Sequence, residues 1–450
     1  VGGFWHLNSG CLILKEEMKM LAHAPLAPAA DDLRSGRIPL PEYIDQLCDR
    51  IDAYEPEIQS LLPEPGRRER LHREAEELLA KYPKPTGRPP LFGVPVGVKD
   101  IFRVDGFPTK AGSQLPAELF DGPEASSVSA IKALGALILG KTVTTEFAYF
   151  APGPTRNPHN PSHTPGGSSS GSAAAVAAGF CPFSLGTQTV GSTIRPAAFC
   201  GIVGFKPSYG RIPIDGVIPF SQSVDHVGLF TQDAAGMALA ASLLFRDWRP
   251  DAGKNSHFPV LGVPEGPFLD QATPEGLAAF NAQLASLERA GYRVVRVEAM
   301  ADIEEIANRH RRMISAEMAQ VHNSWFAHFA SLYRPETFEL IREGQLVSLE
   351  ELEVAKAGRE KLRTELTEVM HWYGLDLWVS PSALGPAPEG ITATGSRAMN
   401  LPWTHAGLPT ITLPAGFAPN GLPLGLQAVA RFMADEQLLL WALDLEQALQ

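Results

Sequence analysis

Apolar residues recur along this chain with two alternating periods. Between residues 39 and 82 the period is helical: in GRRERLHREAEELLAKY, Leu71, Ala75, Leu78 and Tyr82 share one face. The run KYPKPTGRPP ends that pattern, and LFGVPVGVKDIF then reads as an apolar strand region holding Gly93 and Gly97. Val128, Ile131 and Leu134 mark a short helix feeding a buried strand over 136–139. From residue 258 the alternation resumes. FPVLGV and YRVVRVE read as strands, and between them Leu277, Phe280, Leu284 and Leu287 form a helix face ending at Gly291. Residues 300–373 are mainly helical, TITLPAG and LGLQAVA are buried strands, and a last helix buries Leu438, Ala442, Leu445 and Leu449. Helix and strand in turn predict an α/β domain. With no internal repeat and no dividing linker, one large domain is expected.

Residues 151–230 break the pattern with Gly, Ser, Thr and Pro. GGSSSGS alone would suit a flexible linker. It runs straight into the helix-forming AAAVAAG and then CGIVGFKPSYGRIPIDGVIPF, which is too apolar to stay in water. Small residues between buried elements instead point to close backbone packing.

Composition narrows the partners. The chain has 450 residues, 44% of them hydrophobic, and a formal net charge of −12. An acidic surface without a Lys/Arg run disfavours nucleic acid. Cys11, Cys48, Cys181 and Cys200 lack CxxC spacing, which argues against a zinc site or a disulfide framework and fits a reducing, cytoplasmic setting. No window suits a membrane span, because the richest stretch, 171–185, contains Pro182. The apolar patch at 11–14 has no basic start before it and no cleavage site after it, so no signal peptide is expected. Residues 1–34 read as an extension, poorly ordered over its first 20 residues, and 35–450 as the domain.

Three features bear chemistry. Lys99 ends the apolar strand region; buried there, its amine would lose its charge and serve as a base, whereas taken alone the simpler reading is that it exits into water beside Asp100. Ser168, Ser169 and Ser170 lie within Gly166–Gly171, where Gly167–Gly171 matches G-x-S-x-G with Ser169 at its centre. A nucleophile elbow needs a strand just before it, and RNPHNPSHTP stands there instead. In GTQTVGSTIRPAAFCG, a glycine-bearing turn before Ser192 could aim successive N–H groups at a developing oxyanion; alone it reads as an ordinary loop.

Together with GKTVTTEFA, SVDHVG, GLPTITLPAG and GLPLGLQAVA, these segments resemble the amidase signature family from about residue 35 to the C-terminus. The resemblance implies a twisted, mostly parallel mixed sheet covered by helices on both faces. It implies Ser192 as nucleophile, Ser168 as a bridging serine held through a cis peptide, and Lys99 as base. The oxyanion would be held by the N–H groups of Thr189, Val190, Gly191 and Ser192. The implied reaction is hydrolysis of a small-molecule amide through a serine acyl-enzyme, without metal or cofactor. The motif core spans about 90–230, and the helical region over 300–373 is where specificity is expected.

This sequence departs from the family pattern at three places. Val190 stands where a glycine is usual, so an ordinary φ is expected there. Gln188 stands where Asp is common, and the arginine, Arg195, lies three residues after Ser192 rather than two. That arrangement resembles the branch of small bacterial amidases acting on acidic amides such as malonamate. Arg195 is therefore a candidate carboxylate ligand, or else an internal tether of the loop. Gln188, Ser169 and Tyr149 join it as candidate substrate contacts. Phe147 and Phe150 flank that tyrosine after Glu146 and read as core or acyl pocket. His226, beside Asp225, is assigned a structural role because the lysine supplies the base. His310, Arg311 and Arg312 could meet an anion, although a solvated helix face is the simpler reading. Two further roles fit the family: the A-type subunit of a tRNA-dependent amidotransferase, and a silent binding protein on the same scaffold. A homodimer is the default assembly.

Overall fold

The computed structural model describes residues 21–252 and 257–450, so the expectation for the first 20 residues lies outside the described part. Three helices lead, α1 (Leu26–Ser35), α2 (Leu40–Ile58) and α3 (Arg67–Lys81). The helical stretch over 39–82 is thus two helices. α2 ends at Gln59 in a left-handed conformation, and Pro63 and Pro65 hold the break. Leu71 and Ala75 of the expected face of α3 are buried.

The chain continues through β1 (Pro95–Lys99), α4 (Ser126–Ala133), β2 (Leu137–Thr142), α5 (Ser170–Ala177), β3 (Phe183–Gln188), α6 (Ile194–Cys200), β4 (Val203–Lys206) and β5 (His226–Thr231). Next come α7 (Ala234–Leu244), β6 (Leu261–Glu265), α8 (Pro274–Arg289), β7 (Val294–Glu298), α9 (Ile303–Phe329), α10 (Pro335–Gly344) and α11 (Leu349–Tyr373). The last elements are β8 (Leu377–Pro381), α12 (Leu401–His405), β9 (Thr410–Phe417), β10 (Pro423–Val429) and α13 (Asp435–Leu449). All strands join one ten-stranded sheet in the order β2-β1-β3-β5-β4-β9-β10-β8-β6-β7. The sheet is mixed. Pairing is parallel within β2-β1-β3 and within β8-β6-β7, and antiparallel from β3 across the centre to β8.

The unusual stretch supplies the centre of the molecule. α5, SGSAAAVA, is buried at every position, and β3, FSLGTQ, and β5, HVGLFT, are buried throughout. Small residues let the backbones meet. A Cβ on Gly171 would lie 2.2 Å from the Ser60 carbonyl oxygen and 2.3 Å from the Val143 nitrogen. Serine hydroxyls stitch the layers: Ser172 Oγ donates to the Leu185 carbonyl at 2.9 Å, and Ser184 Oγ donates to the Ser172 carbonyl at 2.9 Å. Among the described residues no helix is long and apolar enough to cross a membrane. Cys48, Cys181 and Cys200 are buried and free.

Candidate active site

The pairing of β1 with β3 decides what lies at the end of both strands. Val98 is in register with Leu185, so Lys99 emerges level with the residues that follow on β3. There Lys99 Nζ stands 2.7 Å from Ser168 Oγ and 2.7 Å from Thr187 Oγ1. Lys99 is fully buried. Burial pushes its amine well below the ordinary lysine value, against the opposing pull of the Asp225 charge. Such an amine gives up its proton more readily than an exposed lysine, and once deprotonated it can accept one from a hydroxyl.

Ser168 reaches this point on the loop between β2 and α5, through a cis Gly167–Ser168 peptide. The loop is fixed at both ends: Thr145 N–H donates to the Ser168 carbonyl at 3.2 Å, and Gly171 N–H to that of Val143 at 3.0 Å. Ser168 and Ser192 line one small cavity with Thr189, Val190, Gly191, Tyr149, Phe150, Arg195, Phe220 and Arg397. Its free volume is about 20 Å³, room for about one water. Two roomier cavities, of 580 and 620 Å³, hold neither serine nor Lys99.

The turn carrying Thr189–Ser192 runs from the end of β3 to the start of α6. No hydrogen bond among the described residues takes the N–H of Thr189, Val190, Gly191 or Ser192. Val190 has no positive φ, as a β-branched residue requires. Gly191 faces Asn400, whose Oδ1 would lie 2.5 Å from an added Cβ.

Two of the expected substrate contacts do not line this cavity. Gln188 does not line the cavity. Its Oε1 accepts from the N–H of Thr193 at 2.8 Å and Ile194 at 3.0 Å, and its Nε2 donates to Thr404 Oγ1 at 2.9 Å. Its amide is spent fixing the turn. Ser169 is also fully buried; its Oγ donates to the Thr187 carbonyl and accepts from the Thr187 N–H, both at 3.2 Å. Tyr149 and Arg195 do line the cavity. Arg195 Nη2 donates to the Gly167 carbonyl at 2.5 Å and to Thr394 Oγ1 at 3.2 Å, while Nε and Nη1 have no partner. Nη2 thus tethers the loop, while the other two nitrogens face no partner among the described residues.

Thr187 and Ala148 were not singled out by the sequence, and Asp225, Glu146, Phe147 and Phe150 were named there without a fixed role. Thr187 shares the Lys99 amine. Asp225 accepts from Thr189 Oγ1 at 2.6 Å and from the N–H groups of Phe220 at 2.8 Å and Ser221 at 2.9 Å. Burial raises its carboxyl to about 6 against those bonds. Phe147 and Ala148 adopt left-handed conformations, φ 46° and 60°, and this strained turn carries Tyr149 and Phe150 to the cavity. Phe147 itself packs in the core against His322 and Trp325, and the Glu146 carboxylate accepts from the Arg334 N–H. The motifs name several of these residues but not their contacts, since only the fold tells where a threonine, an aspartate or a phenylalanine points.

His226 is buried, and its Nδ1 lies 2.6 Å from the Val224 carbonyl, a structural placement. His310 departs from the solvated-face reading: it is buried with Nδ1 3.2 Å from Nδ1 of His405. Arg311 is paired with Glu343 at 2.5 Å, and Arg312 is exposed. Among the described residues no group of three or more His, Cys, Asp or Glu is placed to hold a metal ion.

The sequence profile of the amidase family matches residues 42–439. The chain belongs to the amidase family. It is similar to the A-type subunit of glutamyl-tRNA(Gln) amidotransferase from Synechococcus sp. (strain RCC307), at 30% identity over 94% of this chain and 97% of that one. The protein of the same name from Chlamydia abortus (strain DSM 27085 / S26/3) is 33% identical over 82% and 84%. Among solved structures, an amidase superposes with a TM-score of 0.85 at 32% identity, covering 95% of this chain and all of that one. A peptide amidase from Stenotrophomonas maltophilia follows with 0.80 at 25% identity, covering 95% and 97%. The single α/β domain is that of this family, and the chain is an amide-hydrolysing enzyme.

Proposed function

We propose that this amidase cleaves a carboxamide through an acyl-enzyme on Ser192, with Ser168 as proton bridge and Lys99 as base. The observation that carries the reading is the buried Lys99 amine, its pKa lowered by burial, 2.7 Å from Ser168 Oγ, beside a turn of unused N–H donors. Lys99 takes a proton from Ser168, which takes one from Ser192 as its Oγ adds to the amide carbon. The carbonyl oxygen becomes an anion facing the N–H groups of Thr189–Ser192, each such donor worth about 3 kcal/mol in a dry site. The proton returns through Ser168 to the leaving nitrogen, the C–N bond breaks, and ammonia or an amine departs. Water then attacks the acyl-enzyme by the same relay.

A second reading is favoured by the curated relatives, which are named as the A-type chain of glutamyl-tRNA(Gln) amidotransferases. In it the same site would act on its amide as part of an assembly. Ammonia release by the purified single chain from a screen of mono- and dicarboxylic amides separates the two. Turnover alone supports a free-standing amidase; turnover only with partner chains supports the amidotransferase role. Loss of fluorophosphonate labelling in Ser192→Ala is expected, and labelling that persists there would remove Ser192 as nucleophile.

A further inference from the structure

The wall of the small cavity is shared with a second, roomier one. The outer cavity, about 400 Å³, is lined by Gln271, Ile303, Ala307 and Leu401, and the two have Phe150 and Arg397 in common. Arg397 lies on the loop between β8 and α12, half-buried, with its guanidinium carbon 4.1 Å from the Phe150 ring centre. Neither cavity has a carboxylate in its wall among the described residues. Among the described residues no hydrogen bond or ion pair takes up the Arg397 guanidinium; it has the face of Phe150 and the nearby phenol of Tyr149, with the Arg311 charge opposing it. Arg195 sits in the same wall with Nε and Nη1 unpaired. Arg311 has Glu343 for itself, and Asp225 is taken by Thr189, Phe220 and Ser221.

A guanidinium partly withdrawn from water without a carboxylate partner carries a desolvation cost, and a ring face recovers only about 1 kcal/mol of that. A carboxylate received by its planar fork recovers more, through two charge-assisted hydrogen bonds. We propose that Arg397 is the anion anchor of the active site, so that the substrate is an amide carrying a carboxylate, seated where the two cavities meet. This rests on the hydrolytic reading above. It moves substrate recognition from Arg195, which is tied to the Gly167 carbonyl, to a residue far along the chain.

Binding to the Ser192→Ala protein, which cannot form the acyl-enzyme, tests the anchor by calorimetry. The probes are malonamate, succinamate and glutaramate against propionamide, butyramide and valeramide. At least one acid is expected to bind about 30-fold more tightly than its neutral partner, the scale of hydrogen bonds to a charged group. Adding Arg397→Gln should cut that ratio below about 3-fold, and Arg397→Lys, which keeps charge but not fork, should fall between. Absence of any acid preference overturns the proposal. So does a preference that survives Arg397→Gln, or equal weakening of acid and neutral amides. Fluorophosphonate labelling of Ser192 in the unsubstituted protein reads the hydrolytic assignment separately. Labelling without acid preference sinks only the anchor; acid preference without labelling sinks only the nucleophile.

Discussion

At the scale of residues, the proposed chemistry turns on one buried amine whose pKa is lowered. Lys99 lies well below the ordinary lysine value of 10.5 because it is buried. Above pH 10.5 both folded and unfolded chains hold it neutral, and burial costs little. As pH falls through that range the unfolded chain gains a proton and the folded one does not, so the buried amine destabilises the fold increasingly until its own lowered pKa is reached. Two outcomes are expected for Lys99→Met. Amide hydrolysis falls by at least about 10³-fold, the scale of a lost general base. The variant also resists denaturant better than the parent at pH 7, an advantage that shrinks as pH approaches 10.5. Equal stability at both pH values would mean that the lysine is charged in the fold. In the parent, kcat/KM should rise with pH through an ionisation below the ordinary lysine range.

At the scale of elements, the serine-rich loop is held by contacts that permit no side chain. Gly171 opens α5 against the Ser60 carbonyl and the Val143 nitrogen. Gly171→Ala is expected to cost about 3 kcal/mol by overpacking, and to slow labelling of Ser192 by displacing Ser168. Urea midpoints and labelling rates measure both; an unchanged midpoint would show that the loop yields freely. Periodicity revealed the elements with large apolar residues, such as α3, α8 and α13. It did not reveal β3, β4, β5 and β8. β3 and β5 offer FSLGTQ and HVGLFT, where glycines and hydroxyls blur the strand signal. Their burial on both faces comes from neighbours supplied by distant segments.

At the scale of the whole molecule, α13 is locked to the loop after β4 by charges. Arg211 bonds Glu436, Ser208 N–H donates to Asp435 Oδ1 at 2.7 Å, and Arg249 meets Glu436 Oε2 at 2.8 Å. Burial raises the Glu436 carboxyl, but Arg249 and Arg211 overcome it and hold the group at about 2. Its stabilising contribution is complete above the ordinary 4.5 and is lost as pH falls from there towards 2. Between those pH values the unfolding free energy of the parent should fall more steeply than that of Glu436→Gln. Parallel slopes would show that the pair carries no linkage. Arg211→Ala, which leaves the buried carboxylates short of a partner, is expected to cost about 3 kcal/mol by thermal unfolding.

Lys99, Ser168, Ser192 and the turn between them were legible because each sits in a dense local motif of small residues. The α/β class was legible because periodicity is a local property. What a polar side chain faces is not local. Gln188 and Ser169 stand inside the same motifs, yet the fold turns them onto backbone groups rather than into the cavity. Arg397 lies in a loop with no motif of its own, and only the sheet's crossing of distant strands brings it to Phe150. The sequence alone thus determined which reactive groups this chain owns; tertiary structure decided which were buried, which were tied down and which line a cavity. Burial and pairing depend on neighbours that chain order does not name.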